Sequence, residues 1–346
     1  MFLRLITYVL PSFLLIVIIR NLINLSVVDG LFALIGISIT SWLLGYYFFE
    51  SFNQETIDPK NKIILITGCD TGFGNRLAYK LDQLGFHVYA GVLSTENPGA
   101  IKLAQQCSNR MKVVPMDITK PEQVKSVVER IRQEKLPLWA IVNNAGIFYT
   151  MPSDWGNDVD VLRKTFEVNV FGAVRVTNSC LMLLRRSKGR IINISSVAGR
   201  VNLQYMSHYG MSKFAVRSYS DILRRELASS GIKVVVIEPS FYRTNIIDFD
   251  FHDRMREKYF NESSEEIKQH YGVESLKSLA TFRGVANQMT NDDIDQVIDS
   301  MIKGIVRKYP KLYYRCGSYL DIIKLWGLSY LPEIIQDKFI AFTWNK

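Results

Sequence analysis

Cysteine and histidine are both scarce in this chain, with four of each in 346 residues. Cys69, Cys107, Cys180 and Cys316 form no CxxC pair, and His87, His208, His252 and His270 have no metal-ligand spacing. A disulfide framework is not needed, and metal catalysis is not expected. Internal repeats and low-complexity tracts are absent, so no repeat array or biased tail organises the sequence. A basic run interleaved with aromatics is also missing: the formal charge is +9, but Lys and Arg are mixed with acids. No nucleic-acid partner is expected on that pattern, and the positive balance suits an anionic lipid surface or an anionic cofactor. Apolar residues are abundant, at 48%, enough for the core of one large α/β domain with attachments.

Charge is absent from residues 31–49, an apolar run that ends in Tyr46, Tyr47, Phe48 and Phe49. Its length and aromatic ending predict a transmembrane helix. Residues 5–19 form a shorter apolar stretch interrupted by Pro11, flanked by Arg4 and Arg20, with no small-residue cleavage site after it. Residues 1–49 are therefore read as an uncleaved membrane anchor of one or two helices. Residues 50–61 are polar, contain Pro59, and read as a linker to a domain over 62–316.

That domain is organised around residues 189–213. A β-branched strand over 190–194 breaks at Ser195 and Ser196, and a helix begins near Tyr209, with Lys213 four positions further on. Positions i and i+4 share a helix face, so the Lys213 ammonium is expected beside the Tyr209 ring, with Ser196 meeting both from the strand end. A phenol with a pKa near ~10 is a poor base unless a neighbouring cation stabilises its phenolate. Lys213 is expected to supply that cation, so that Tyr209 takes a proton from an alcohol or returns one to a carbonyl while Ser196 holds the substrate oxygen.

Upstream, a buried strand over 62–67 runs into Gly68, Cys69, Asp70, Thr71, Gly72, Phe73 and Gly74, followed by a helical stretch. Glycines at these points let the backbone approach a pyrophosphate resting on the helix N-terminus. The second strand ends at Val92, Leu93 and Ser94, with no acid to hold the ribose hydroxyls. Asp70 is the nearest candidate and would repel a 2′-phosphate, which favours NAD; Arg76 argues the other way, so NADP is not excluded. Asp117, after the third strand, is placed to contact adenine or to cap the helix starting near Pro121. Asn143, Ala145 and Gly146 end the fourth strand against the cofactor. Asn169 lies on a helix facing the sheet, either as a local brace or on a proton path to Lys213. A strand over 231–237 ends in Glu238 and Pro239, and Thr244 is either a partner for a carboxamide or a helix cap.

Residues 245–291, aromatic and charged, are read as a helical substrate lid. Residues 317–346 are an apolar segment that either touches the bilayer again or walls the substrate pocket. Phe148, Met206 and Phe241 flank the reacting residues and are expected to line an apolar pocket, together with Tyr149, Met151, Leu203 and Tyr242.

The Gly-rich turn, Asn143-Asn-Ala-Gly146, Asn169, Ser196, Tyr209-Gly-Met-Ser-Lys213 and Glu238-Pro-Ser, in this order, resemble the short-chain dehydrogenase/reductase superfamily. The Phe86 to Leu93 strand, Met116-Asp-Ile-Thr-Lys-Pro121 and the tail resemble its membrane-anchored branch of steroid, retinol and 3-hydroxybutyrate dehydrogenases. The resemblance implies an α/β fold with a doubly wound parallel sheet of Rossmann type, and a catalytic tetrad of Asn169, Ser196, Tyr209 and Lys213. It further implies hydride transfer between nicotinamide and a carbinol or carbonyl carbon, with Asn169 supporting a water that relays a proton from Lys213. The expected substrate is a lipophilic alcohol, steroid or retinoid. The expected setting is the endoplasmic reticulum membrane, or else a mitochondrial one, with a homodimer as a candidate assembly. Ser240, where the family usually has Gly, and the missing acid at Val92 depart from its pattern.

Overall fold

The computed structural model describes residues 33–42, 44–45, 54–156, 159–276, 290–318, 320 and 322–344. The chain divides into two compact units, Met1–Ile57 with Arg307–Tyr309, and Asp58–Val306 with Pro310–Lys346. In the first, residues 33–42 and 44–45 are helical. No helix among the described residues is long and apolar enough to cross a membrane. The stretch 5–19 lies outside the described residues, and 31–49 lies partly outside them.

The second unit is built on seven parallel strands: β1 Ile63–Ile66, β2 His87–Val92, β3 Met111–Pro115, β4 Leu138–Asn143, β5 Arg190–Ile194, β6 Lys233–Pro239 and β7 Tyr313–Cys316. Their order across the sheet is β3-β2-β1-β4-β5-β6-β7, the doubly wound arrangement expected. β1 and β5 are buried along their whole length, as continuous β-branched runs covered by helices on both faces should be. β6 starts at Lys233, two residues after the expected 231, and runs two residues beyond 237, where β7 continues the ladder: Glu238 pairs with Arg315 and Pro239 with Cys316.

The crossovers are helical: α1 Gly72–Gln83, α2 Pro98–Gln106, α3 Pro121–Gln133, α4 Asp160–Phe166, α5 Ala173–Ser187 and α6 Ser207–Glu226. On one face, Val124 and Val128 of α3, Val176 and Leu184 of α5, and Leu223 of α6 pack on the sheet in a single core. α9 Asp295–Val306 lies against β5, β6 and α1, where Asp295 pairs with Arg76 and Lys80. Within the expected lid the described helices are α7 Phe249–Glu262 and α8 Glu265–Tyr271. Tyr259 and Phe260 of α7 join Met151, Trp155 and Val161 in a second small core. The last helix, α10, is Glu333–Trp344.

Candidate active site

The C-terminal ends of β1, β4, β5 and β6 open on a cleft of about 900 Å³. At its floor Gly68 and Gly72 adopt φ of +69° and +60°, a left-handed conformation that glycine enters without strain. A Cβ on Gly68 would lie 2.8 Å from Ala145 Cα, so the loop after β1 and the end of β4 interlock only without it. Thr71 precedes α1 without a side-chain capping bond, leaving its first N–H groups for an anion. Gly68, Asp70, Thr71, Gly72 and Phe73 line the cleft, as do Asp117, Ala145, Gly146, Pro239 and Thr244. Their chemistry fits a dinucleotide: backbone N–H groups suit a pyrophosphate, the Asp70 and Asp117 carboxylates suit hydroxyl or amino donors, and the Thr244 hydroxyl suits an amide.

Two expected contacts lie elsewhere. Gly74 does not line the cleft; a Cβ there would come 2.3 Å from Gly68 O and 2.6 Å from Asn144 Nδ2, so its role is close packing of α1 on the loop. The Asn143 amide points into the protein, donating to Thr177 Oγ1 at 3.0 Å and Asn193 Oδ1 at 2.8 Å. Its neighbour Asn144 lines the cleft instead, with Nδ2 donating to Thr67 O and Gly68 O. Thr67, also unassigned from sequence, completes the joint: its hydroxyl accepts from the backbone N–H of Asn144 and of Ala145, each at 3.0 Å. Side chains alternate along a strand, so only one of two adjacent asparagines can face the cofactor side. That was the signal available.

Asp70 is anchored rather than loose. Its Oδ1 accepts from Leu93 N at 2.9 Å and from the Asn97 amide, so the carboxylate stands at the end of β2, where no acid follows Val92. Arg76 donates to both oxygens of Asp295, at 3.0 and 2.9 Å, and is thereby held on α9. Asp117 accepts from the backbone and hydroxyl of Thr119 in a local turn. Thr244 makes no capping bond to the short 3-10 turn Asn245–Ile247 that follows it.

Ser196, Tyr209 and Lys213 meet on the opposite wall. The Ser196 hydroxyl faces the Tyr209 phenol and favours its charged form, while donating to Pro239 O at 3.5 Å; Lys213 Nζ lies 5.4 Å from the Tyr209 ring centre. Lys213 Nζ also donates to Ile194 O at 2.9 Å. Asn169 stands just behind, in a π-helical turn, Glu167–Gly172. Its Oδ1 accepts from Ile147 N at 2.8 Å, while Nδ2 donates to Ile147 O and Ser212 Oγ. Both ends of its amide therefore brace the loop after β4 against α6. Gly146 fills the space between, since a Cβ there would lie 3.3 Å from Asn169 Oδ1 and 3.7 Å from Lys213 Nζ.

The electrostatics differ from expectation. Burial pushes the Tyr209 phenol up to about 12, against the lowering effect of the Ser196 hydroxyl. Burial likewise brings Lys213 down to about 8. With the protein's groups alone, desolvation outweighs the lowering effect of Ser196, and the phenol holds its proton.

The apolar side of the cleft is formed by Phe148, Met206, Phe241 and Phe251. Phe148 sits edge-on between the Tyr209 ring at 4.7 Å and the His252 ring at 4.9 Å. Phe148 and Phe241 pack against a core of Val201, Leu203, Met206, Leu328 and Ile340, to which the C-terminal segment contributes the last two.

The family model described as short chain dehydrogenase matches residues 62–255, more than half of the chain. The chain belongs to that family. Relatives of this short-chain dehydrogenase include estradiol 17-beta-dehydrogenase 2 of Rattus norvegicus, 38% identical over 91% of this chain and 82% of the relative. Retinol dehydrogenase 7 of Mus musculus is 34% identical over 90% of this chain and 96% of the relative. Among solved structures, a short chain dehydrogenase/reductase from Burkholderia phymatum in complex with NAD shares the fold, with a TM-score of 0.65 and 20% identity. That match covers 82% of this chain and 96% of the other.

Proposed function

We propose that this short-chain dehydrogenase interconverts a lipophilic alcohol, a hydroxysteroid or retinol, and its carbonyl compound, using NAD. One observation carries the proposal: Ser196, Tyr209 and Lys213 converge between a dinucleotide-shaped cradle and a wall of Phe148, Met206, Phe241 and Phe251. The relatives that act on estradiol and retinol by name support the same substrate class.

Gly68, Gly72 and the start of α1 would hold the pyrophosphate, Asp117 the adenine end, Asp70 the ribose, and Asn144 and Thr244 the nicotinamide half. When bound, oxidised NAD supplies the hydride acceptor and a positive charge near the phenol. Tyr209 exchanges a proton with the substrate oxygen, and Ser196 donates a hydrogen bond that fixes this oxygen. Lys213, with a pKa of about 8, supplies the ammonium that favours the phenolate. Asn169 keeps Gly146, Ile147 and Ser212 in place around it. In the carbonyl-reducing direction the protonated phenol is already the required acid.

Membrane attachment belongs to the same proposal. The uncharged run over 31–49 and the exposed Ile323, Tyr330 and Ile334 of the C-terminal segment support it, with the endoplasmic reticulum as the setting. α7 and the loop it packs on form the lid.

NAD reduction measured across steroids, retinol and 3-hydroxybutyrate tests the substrate class. Turnover is expected with the lipophilic alcohols, and preference for the small hydroxy acid overturns it. Cofactor choice has its own test. Asp70→Asn keeps an oxygen for Leu93 and Asn97 but removes the charge facing a 2′-phosphate. The ratio of NADP to NAD dissociation constants, titrated by intrinsic fluorescence, should fall about tenfold, or ~1.4 kcal/mol. An unchanged ratio removes Asp70 as the selector.

A further inference from the structure

Glu238, at the end of β6, is fully buried, yet it faces three guanidinium groups. Arg200 Nε donates to its two carboxylate oxygens at 2.8 and 2.7 Å. Arg217 Nε and Arg315 Nε lie 3.6 and 3.9 Å away, and Trp326 Nε1 donates at 3.4 Å. Tyr313 lies under Arg200 and Arg217, its ring centre 4.9 and 5.7 Å from them.

Stability alone does not account for this cluster. A buried ion pair commonly contributes no more than an apolar replacement of the same shape, and here one carboxylate meets three cations. The placement of the partners is more informative. Arg200 follows the 3-10 turn Val197–Gly199, which Ser196 caps through Ala198 N. Arg217 stands on α6 one turn beyond Lys213, and Arg315 belongs to β7. On the other side the chain passes from Glu238 to Pro239, whose carbonyl accepts from Ser196 Oγ at 3.5 Å. The carboxylate thus ties the turn carrying Ser196 to the helix carrying Tyr209, from behind the cleft.

Resting on the assignment of Ser196 and Tyr209 as reacting groups, we propose that Glu238 is a positioning residue that keeps the Ser196 hydroxyl facing the Tyr209 phenol through Arg200 and Arg217. Without its charge the three guanidinium groups repel one another, the Ser196 turn and α6 separate, and the Ser196 hydroxyl no longer faces the phenol.

Glu238→Gln preserves volume and removes the charge. Misplacement of reacting groups by about 1 Å costs up to ~10²-fold, so kcat with the best alcohol of the panel should fall by about one to two orders of magnitude. The NAD dissociation constant should stay near wild type. The pH profile of kcat for alcohol oxidation decides the mechanism. Losing a nearby negative charge alone moves the phenol's titration to lower pH, whereas moving the Ser196 hydroxyl away from the phenol shifts it to higher pH; a move to higher pH is expected. Glu238→Asp, which keeps the charge, should recover part of kcat.

Should Glu238→Gln fail to fold by circular dichroism, Arg200→Lys is read in the same assays. It keeps the positive charge but loses the planar fork, and the same fall and upward shift are expected. A folded variant with wild-type kcat, or with a profile unmoved or moved downward, overturns the role of Glu238. Wild-type turnover in Tyr209→Phe instead overturns the assignment beneath it, so the two failures are separable.

Discussion

Tyr209→Phe is expected to lower kcat by a factor between about 10² and 10⁴, the range of a general acid–base contribution, while NAD affinity stays near wild type. The substitution is clean because only the oxygen is lost. The ring keeps its edge-on contact with Phe148 at 4.7 Å and its place 5.4 Å from Lys213 Nζ. Desolvation pushes this phenol up to about 12, so removing a neutral hydroxyl leaves no stranded charge and the fold should persist. What disappears is the proton exchange with the substrate oxygen, in both reaction directions. Steady-state turnover and a fluorescence titration of NAD check the two halves separately. Wild-type turnover sinks the acid–base role, and a parallel loss of NAD affinity makes Tyr209 a binding residue instead.

Much of the framework was legible because it repeats a local rule. The β-branched runs read at 62–67 and 190–194 hold the strands Ile63–Ile66 and Arg190–Ile194, buried on both faces, as their composition requires. The four-residue spacing of Tyr209 and Lys213 fixes their shared helix face, whatever the rest of the chain does. The less legible features depend on partners remote in sequence. Asp70 reaches the end of β2 only because Leu93 and Asn97 receive it, and Arg76 is held by Asp295, far along the chain. Which of Asn143 and Asn144 faces the cleft is set by strand phase, and the Thr177 and Asn193 groups that receive Asn143 carry no local signal. The phenol's upward shift was missed for a similar reason: spacing places a cation nearby but does not measure how dry the site is.

Dryness leads to the second large effect, at Lys213. Its pKa falls from 10.5 to about 8 through burial, so between these values the unfolded chain binds a proton that the folded protein does not. Stability therefore rises with pH across that window, and below pH 8 both states carry the charge and the full penalty, roughly 3 kcal/mol, applies. Tyr209 acts with the opposite sign. Its pKa rises from 10.0 to about 12, so the folded state retains a proton there and stability falls as pH climbs through that range. Lys213→Met removes the first effect and leaves the second. It also leaves Ile194 O, which accepts from Nζ at 2.9 Å, without that donor, at a cost of about 1–3 kcal/mol. Near pH 7 the relief of the buried charge is the larger contribution, and the variant should be as stable as wild type or more so. Near pH 10 to 11 wild-type Lys213 is neutral and the lost hydrogen bond dominates, so the variant should be less stable. Turnover should fall by a factor of about 10² or more, since nothing else in the wall supplies the ammonium. Urea midpoints at the two pH values, set beside kcat, test the account. A variant less stable at neutral pH and unchanged at alkaline pH reverses the predicted sign and shows Lys213 to be a net stabilising cation.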